Sequence, residues 1–399
     1  MLKNKENLKK ILVILLITIM SGIIFYFQTQ KSGLHEDEGY TLCSSVNPKN
    51  GVMDAYDSGN TSPVWRSREY VKSALSLAPG NILNFKALFM NQAYDNHPPF
   101  FYTLVHFATL FFGGNFSLYS AFIVNIIAFI CSCVILIKIL KLLKKENLVF
   151  PALILYGLSM GTISMVLFQR MYMLLTMWCT IFAYEHLEMM ASRKIKMKNL
   201  ISILLATFGG VFTHYYFVIF AFPMVIFQMI WMIMRKDFKM TGKYVVSGGV
   251  GGVCAVALYP AILKNLTGTG VSHSQKTLQN MHNFSDWTSR IRKFWVIVSE
   301  EMFGGVFMLL LIVCCLGILA YLITQVLWEM KLQYHADHYE IAVNNKEHTK
   351  TVYVKVKRET YLICDIILTC AFVFVISAKI SPWQVNRYIM NLFPFLSLL

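Results

Sequence analysis

Two short polar stretches hold the side chains that could do chemistry. Leu34-His35-Glu36-Asp37-Glu38-Gly39-Tyr40-Thr41 follows the first apolar run directly, and Tyr94-Asp95-Asn96-His97-Pro98-Pro99-Phe100-Phe101-Tyr102 closes the loop that begins there. Three consecutive carboxylates where a chain leaves a bilayer are unfavourable beside anionic headgroups unless they bind a ligand or move a proton. The plain alternative for Asp37 and Glu38 is a pair of solvated loop charges.

Three further clusters stand at the ends of apolar runs. They are Gln169-Arg170-Met171-Tyr172, Thr213-His214-Tyr215-Tyr216 and Trp383-Gln384-Val385-Asn386-Arg387-Tyr388. A guanidinium buried at mid-membrane costs roughly 2.5–3.5 kcal/mol, and much less at the interface. Arg170 and Arg387 therefore read either as snorkelling helix-end residues or as clamps for an anion such as phosphate, whose oxygen pairs suit the guanidinium fork. His97 before two prolines is a packing residue or a ligand, and His214 between Thr213 and two tyrosines is an aromatic-belt residue or part of a site. A metal site would draw on Asp95, His273, His282 and Asp286, although their spacing is not diagnostic and the metal is unknown. Glu300-Glu301 reads as a solvated approach to a helix, and Glu185, His186 and Glu188 belong to the opposite membrane face.

The elements that must position these residues follow from hydropathy. The chain has 399 residues, is 56% hydrophobic and only 14% charged, and has a mean hydropathy of +0.53. That is the composition of a polytopic membrane protein. Four lysines precede the run Ile11–Phe27, which lacks a cleavage site of small residues and reads as a retained first transmembrane helix. Further apolar segments fall near 117–137, 148–168, 171–190, 200–217, 217–234, 244–263, 303–328 and 360–380, each near the ~20 residues that cross a ~30 Å core. A last one starts near Ile389 and stops at Leu399, as in a truncated form or an incomplete final helix.

Basic residues set the orientation. Lys138–Lys145, Arg193–Lys198, Arg235–Lys243 and the charged stretch 329–358 all fall on the side of the N-terminus if Pro98–Gly114 does not cross. That segment is apolar but only 17 residues long and opens with two prolines; it is expected to lie on or dip into the outer interface. The expectation is an all-α protein of about 9–10 transmembrane helices in one membrane-embedded domain. A long first extracytoplasmic loop spans 29–116 and holds short juxtamembrane helices. A second large loop covers 264–302, and a cytoplasmic charged insert covers 329–358. The net charge of +15 needs no nucleic acid; it reflects the positive-inside bias and contact with anionic lipids. Of nine cysteines only Cys43 falls in an outside loop, so no disulfide framework can be built.

Together these motifs resemble the GT-C class of membrane glycosyltransferases, in the branch of protein O-mannosyltransferases and lipid-A aminoarabinose transferases. The resemblance rests on Asp37-Glu38 after the first helix, His97-Pro98-Pro99 followed by aromatics, and Arg170 with Tyr172 at a tight turn. His214-Tyr215-Tyr216 and Arg387-Tyr388 before Pro394 complete it, in that order over most of 11–399. It implies a polyprenyl-phosphate sugar donor and an extracytoplasmic acceptor hydroxyl on a protein, lipid or glycan, which attacks the anomeric carbon with inversion. It leaves a divalent metal ion open, since relatives of the class differ.

The residues fit that chemistry on their own terms. An acceptor hydroxyl needs a general base, for which a positioned carboxylate contributes typically ~10²–10⁴-fold, and a phosphate leaving group needs cations. Asp37 is the expected base, with Glu38 orienting the acceptor or sharing the role. Arg170 and Arg387 are expected at the donor phosphate, and Asp95, His97, Tyr102, Tyr172, His214 and Tyr215 around the substrates. The site then faces the extracytoplasmic side of the cell membrane. The rival reading is a transporter or flippase of a lipid-linked or small polar solute. It predicts ionisable residues at helix centres, whereas the centres here are nearly clean. The sequence names neither sugar nor acceptor.

Overall fold

The computed structural model describes residues 2–48, 66–95, 97–266, 272–326, 328–335, 338–345, 352–355 and 358–398. Helix α1 (Leu2–Thr29) opens with lysines and continues as an apolar rod. Only a narrow stripe through Met20 and Ile24 is fully buried, while Ile11, Ile14 and Ile19 are at least half exposed. Such a surface is stable against lipid and not against water.

Four short helices then fold the first loop. These are α2 (Glu36–Val46), α3 (Arg68–Ala74), α4 (Phe85–Tyr94) and α5 (Phe100–Leu110). Residues 49–65 of the loop lie outside the described residues. At ~1.5 Å per residue the 11 residues of α5 reach about half-way across a hydrocarbon core, so it does not cross. Pro98 and Pro99 start it, and Gly113 and Gly114, at φ 64° and 79°, turn the chain out of it. Buried polar side chains tie these helices together. His106 Nδ1 lies 2.7 Å from Ser45 O, and Asn91 donates to Ser44 O at 3.1 Å and to Asn47 O at 2.7 Å.

The bundle continues with α6 (Ser120–Leu142), α7 (Val149–Gly157), α8 (Met160–Leu167), α9 (Tyr172–Ser192), α10 (Met197–Thr213), α11 (Tyr216–Met234) and α12 (Phe238–Leu258). After α13 (Ala261–Leu266) and α14 (Ser272–His282) come α15 (Trp287–Phe303), α16 (Phe307–Val326), α17 (Arg358–Ile380) and the short α18 (Phe393–Leu396). Among the described residues five helices, α1, α6, α11, α12 and α17, are long and apolar enough to cross a membrane. Two bent pairs, α7 with α8 and α15 with α16, bring the number to as many as seven. The chain is an integral multi-pass membrane protein. The two other apolar segments of the sequence become α9 and α10. Helix α9 is buried on nearly every side from Tyr172 to Leu187, so it is the centre of the bundle rather than part of its lipid-facing wall. Helix α10 packs closely on α12 because Gly251 lets its backbone meet Leu204; a side chain there would lie 2.5 Å from Leu204 O.

The membrane part is wholly helical, and the charged insert adds an antiparallel three-stranded meander. Strands β1 (Trp328–His335), β2 (His338–Asn345) and β3 (Val352–Lys355) pair in chain order, with Leu332 opposite Ile341 and Ile341 opposite Val354. The described residues of 264–302, expected as a second large loop, belong largely to α13, α14 and α15. Ionisable residues do occur inside the helices: Glu185 and His186 in α9 and Arg290 in α15 are buried, and Asp365 in α17 is 1% exposed, with Thr369 Oγ1 3.5 Å from its carboxylate.

The basic ends meet at one end of the bundle. Lys9 donates to Glu146 O at 3.0 Å, and Lys144 lies 2.6 Å from the Glu359 carboxylate. The chemical residues meet elsewhere.

Candidate active site

The start of α2 explains its run of acids. His35 caps the helix: its Nδ1 accepts from Asp37 N at 3.1 Å, and Glu38 reaches back to accept from His35 N at 2.7 Å. This is a capping box, and acids suit the positive end of a helix. The three carboxylates part company there. Glu36 faces outward and accepts from the Tyr40 hydroxyl at 3.2 Å. Glu38 is 1% exposed and fully engaged, since its other oxygen accepts from Gln169 N at 2.8 Å and from Lys31. Asp37 turns into a cavity lined by aromatic side chains, where it pairs with Arg387. The two carboxylates expected to work together are thus placed differently: Glu38 is held between α1, α2 and the α8–α9 turn.

Arg170 comes from that turn. Asn125 of α6 holds the turn by donating to Phe168 O at 2.9 Å, and Gln169 donates to Leu118 O at 2.6 Å. The guanidinium is 4% exposed, so the snorkelling reading fails. Its Nη1 donates to Thr41 Oγ1 at 2.8 Å, Asp37 O at 3.1 Å and the Tyr102 hydroxyl at 3.3 Å. Its Nη2 lies 3.3 Å from His97 Nε2, and its buried Nε has no partner among the described residues. No carboxylate comes within 4 Å of it among the described residues. His97 Nδ1 is in turn 3.0 Å from Asp95 Oδ2.

The α10–α11 turn adds His214, whose ring lies 5.7 Å from His97 and 5.5 Å from Tyr172. Asn265 fixes Tyr215 by donating to its hydroxyl at 2.9 Å. From the far end of the chain, Asn386–Tyr388 forms a single helical turn that delivers Arg387 to Asp37. Tyr388 stacks on Tyr216 at 5.1 Å, and Asn386 donates to both oxygens of Glu301 at 2.9 and 3.1 Å. Glu300 is exposed as expected, whereas Glu301 is half-buried in this clasp rather than solvated. Gly161 makes room for it: a methyl there would overlap the Phe393 ring and press on Glu301 at 3.0 Å.

Two cavities meet at Arg387. The narrow one, about 280 Å³, is lined by Asp37, His97, Arg170, His214, Arg387 and four tyrosines. The wide one, about 670 Å³, is lined by Phe27, Leu167, Phe168 and Met390 around Lys31, Glu38 and Arg387. Burial pushes the Asp37 carboxyl up, but Arg170 and Arg387 outweigh it and hold the group below the ordinary carboxylate range. Burial, with His97 and the two arginines, holds His214 well below the usual histidine range, so its ring is neutral. Its Nδ1 accepts from Tyr216 N at 3.1 Å, as a neutral ring can. Burial raises the Tyr215 phenol to about 12, keeping it a donor.

The structure thus brings Asp37, His97, Arg170, Tyr172, His214, Tyr215 and Arg387 to one cavity, with Asp95 and Tyr102 directly behind. It does not gather the residues weighed for a metal. His282 and Asp286 lie on the α14–α15 stretch, the His273 side chain is outside the described residues, and no cluster of three or more metal-ligating residues forms among the described ones. Lys31 and Asn265 were missed by the sequence reading, and Thr41 and Tyr388, though inside its motifs, were given no role. Lys31 alone gave a signal, a cation placed just beyond the first apolar run.

No protein-family model matches the chain, and no curated protein matches it in sequence. A solved structure does. The chain is similar to the crystal structure of ArnT from Cupriavidus metallidurans bound to undecaprenyl phosphate, with a TM-score of 0.54 over 97% of this chain at 11% identity. The fold is GT-C-like. The chain spans 58% of the length of that neighbour, and at such identity the likeness speaks for the fold alone.

Proposed function

We propose that this protein is a membrane glycosyltransferase. It transfers a sugar from a polyprenyl-phosphate-linked donor to an acceptor hydroxyl on the extracytoplasmic side. The observation that carries this reading is the junction at Arg387, where an apolar cavity bordered by Lys31 and Arg387 meets an aromatic cavity holding one half-buried carboxylate. The neighbour of like fold is bound to undecaprenyl phosphate, which supports a polyprenyl carrier here.

The prenyl chain lies along Phe27, Leu167 and Met390, and its phosphate at Lys31 and Arg387. The sugar extends past Arg387 into the narrow cavity. The acceptor oxygen attacks the anomeric carbon from the face opposite the phosphate and gives its proton to Asp37. The bond from the anomeric carbon to the phosphate oxygen breaks, and its electron pair leaves with the polyprenyl phosphate. Inversion follows from this single displacement. Arg387 has two positions to serve: paired to Asp37 it weakens the base, and once drawn to the donor phosphate it frees it. Donor binding therefore arms the base. Arg170 acts from behind, orienting Asp37 through its backbone carbonyl and adding positive potential for the leaving group.

The test uses the purified full chain in lipid nanodiscs with a panel of polyprenyl-phosphate sugars, reading released polyprenyl phosphate by mass spectrometry. Release that depends on donor and disappears in Asp37→Asn is expected. Absence of both binding and release across the panel overturns the reading.

A further inference from the structure

The charged insert takes no part in the candidate site, yet its strands are patterned. Antiparallel pairing sets Leu332, Ile341 and Val354 in one row across the sheet, and Met330, Val343 and Val352 in the row two residues along. Paired residues, and every second residue of a strand, share a face of a sheet. These six therefore lie on one face, which Trp328 extends at one end and the Tyr334–Tyr339 pair at the other. The alternate face carries the row Gln333, Glu340 and Lys355. A sheet with one apolar face must bury it. Among the described residues its extended contacts outside itself are with α16 alone, the helix it continues.

The tethers say where the sheet is. Strand β1 starts two positions after Val326, the end of α16, and α17 starts at Arg358, three positions after Lys355. A chain reaches at most ~3.6 Å per residue, so both ends of the sheet stay within roughly 11 Å of the ends of two apolar helices. The contact between Lys144 and Glu359 puts this junction at the end of the bundle where the basic residues meet, away from the candidate site.

We propose that the insert is a membrane-surface anchor, and that what covers its apolar face is lipid at the bilayer interface around that end of the bundle. Tryptophan and tyrosine at the two ends of the face are the residues that settle at such an interface. Lys355, Lys357 and Arg358 gather at the return to α17, where headgroup phosphates lie. A second copy fits less well. Three strands ~4.8 Å apart and eight residues long have a footprint of roughly 300–400 Å², against the ~800 Å² per partner of a stable interface. Residues 328–357 hold five lysines and four acidic residues. Attachment therefore rests on apolar burial rather than on net charge, and it withstands salt. The inference stands apart from the donor reading.

The test reconstitutes the full-length protein in vesicles of phosphatidylcholine and phosphatidylglycerol. A photo-crosslinking phenylalanine analogue replaces Ile341, on the apolar face, or its neighbour Glu340, on the other. Lipid adducts read by mass spectrometry are expected to be at least several-fold more abundant from position 341, at low and high salt alike. Equal lipid adducts from both positions, or adducts from 341 mainly to a second copy of the chain, overturn the proposal. Loss of the 341 adducts at high salt overturns its apolar basis. Hydrogen exchange on the unmodified protein in the same vesicles checks the sheet without any substitution. Slow exchange along all three strands is expected, and exchange as fast as in an unfolded chain overturns the proposal.

Discussion

The two cavities that share Arg387 are built from adjacent residues and differ in almost every physical respect. The wide one is bordered by apolar side chains of α1, α8 and the chain end, and its carboxylate, Glu38, is silenced by three donors. The narrow one is walled by tyrosines and histidines, and its carboxylate, Asp37, keeps a side to the cavity. One peptide unit separates the two acids. A helix turns ~100° per residue, so neighbours at a helix start point into different surroundings, and the same functional group becomes a strut in one and a candidate base in the other. Chemistry here is assigned by direction rather than by residue type.

The comparison breaks most sharply at Asp37. Asp37→Asn is expected to lower kcat by about 10²–10⁴-fold while donor affinity holds or rises, because Arg387 is released to the phosphate, whereas Glu38→Gln should act on the fold. Removing the Glu38 charge leaves Lys31 without its ionic partner and weakens a buried acceptor, a loss of about 1–3 kcal/mol visible as a lower unfolding temperature, with kcat reduced far less than in Asp37→Asn. A Glu38→Gln variant as inactive as Asp37→Asn yet equally stable would return the catalytic role to both carboxylates.

Gly161 tests the joint on which both cavities depend. Gly161→Ala forces a methyl against Phe393 and Glu301, and overpacking of this kind typically costs about 1–3 kcal/mol. The expected result is reduced thermal stability together with weaker donor binding, because the Glu301–Asn386 clasp carries Arg387. Unchanged affinity in a stable variant would separate the clasp from the site.

The acid limb of kcat/KM sharpens the contrast further. Asp37 titrates below its ordinary range when folded, so its ionised form persists at neutral pH and is lost only as pH falls through that lowered value. Arg387→Gln removes one of the cations that lower it, and the limb is expected to move upward. The smallest effect belongs to the wide cavity: Leu167→Trp should raise KM for long-chain donors by no more than about tenfold while sparing short-chain ones.

Much of this was legible in the chain. The apolar runs fixed the helices, because a backbone in lipid must satisfy its own hydrogen bonds. The prolines and length of 98–114 kept α5 from crossing. Asp37, Arg170 and Arg387 stood out because charges beside apolar runs are expensive. Glu301 was misread for want of any local signal: its partner Asn386 lies 85 residues away. The strands of 328–355 were missed although Trp328, Met330, Leu332 and Tyr334 alternate with Glu329, Lys331, Gln333 and His335 at the period of a strand, because the density of charge masked the pattern; the burial of Glu38 at a cap was hidden inside an acidic run.

By itself, then, the sequence determined a multi-pass helical protein with its polar chemistry gathered at helix ends, since hydropathy and charge cost act locally and can be summed along a chain. Only the tertiary structure decided which of the polar residues share a cavity and which neutralise one another. Arg387 meets Asp37 across 350 positions, and Lys31 meets Glu38 on the other side of the same helix turn. Those pairings set where unspent charge remains, and they depend on packing between remote helices that no window of sequence contains.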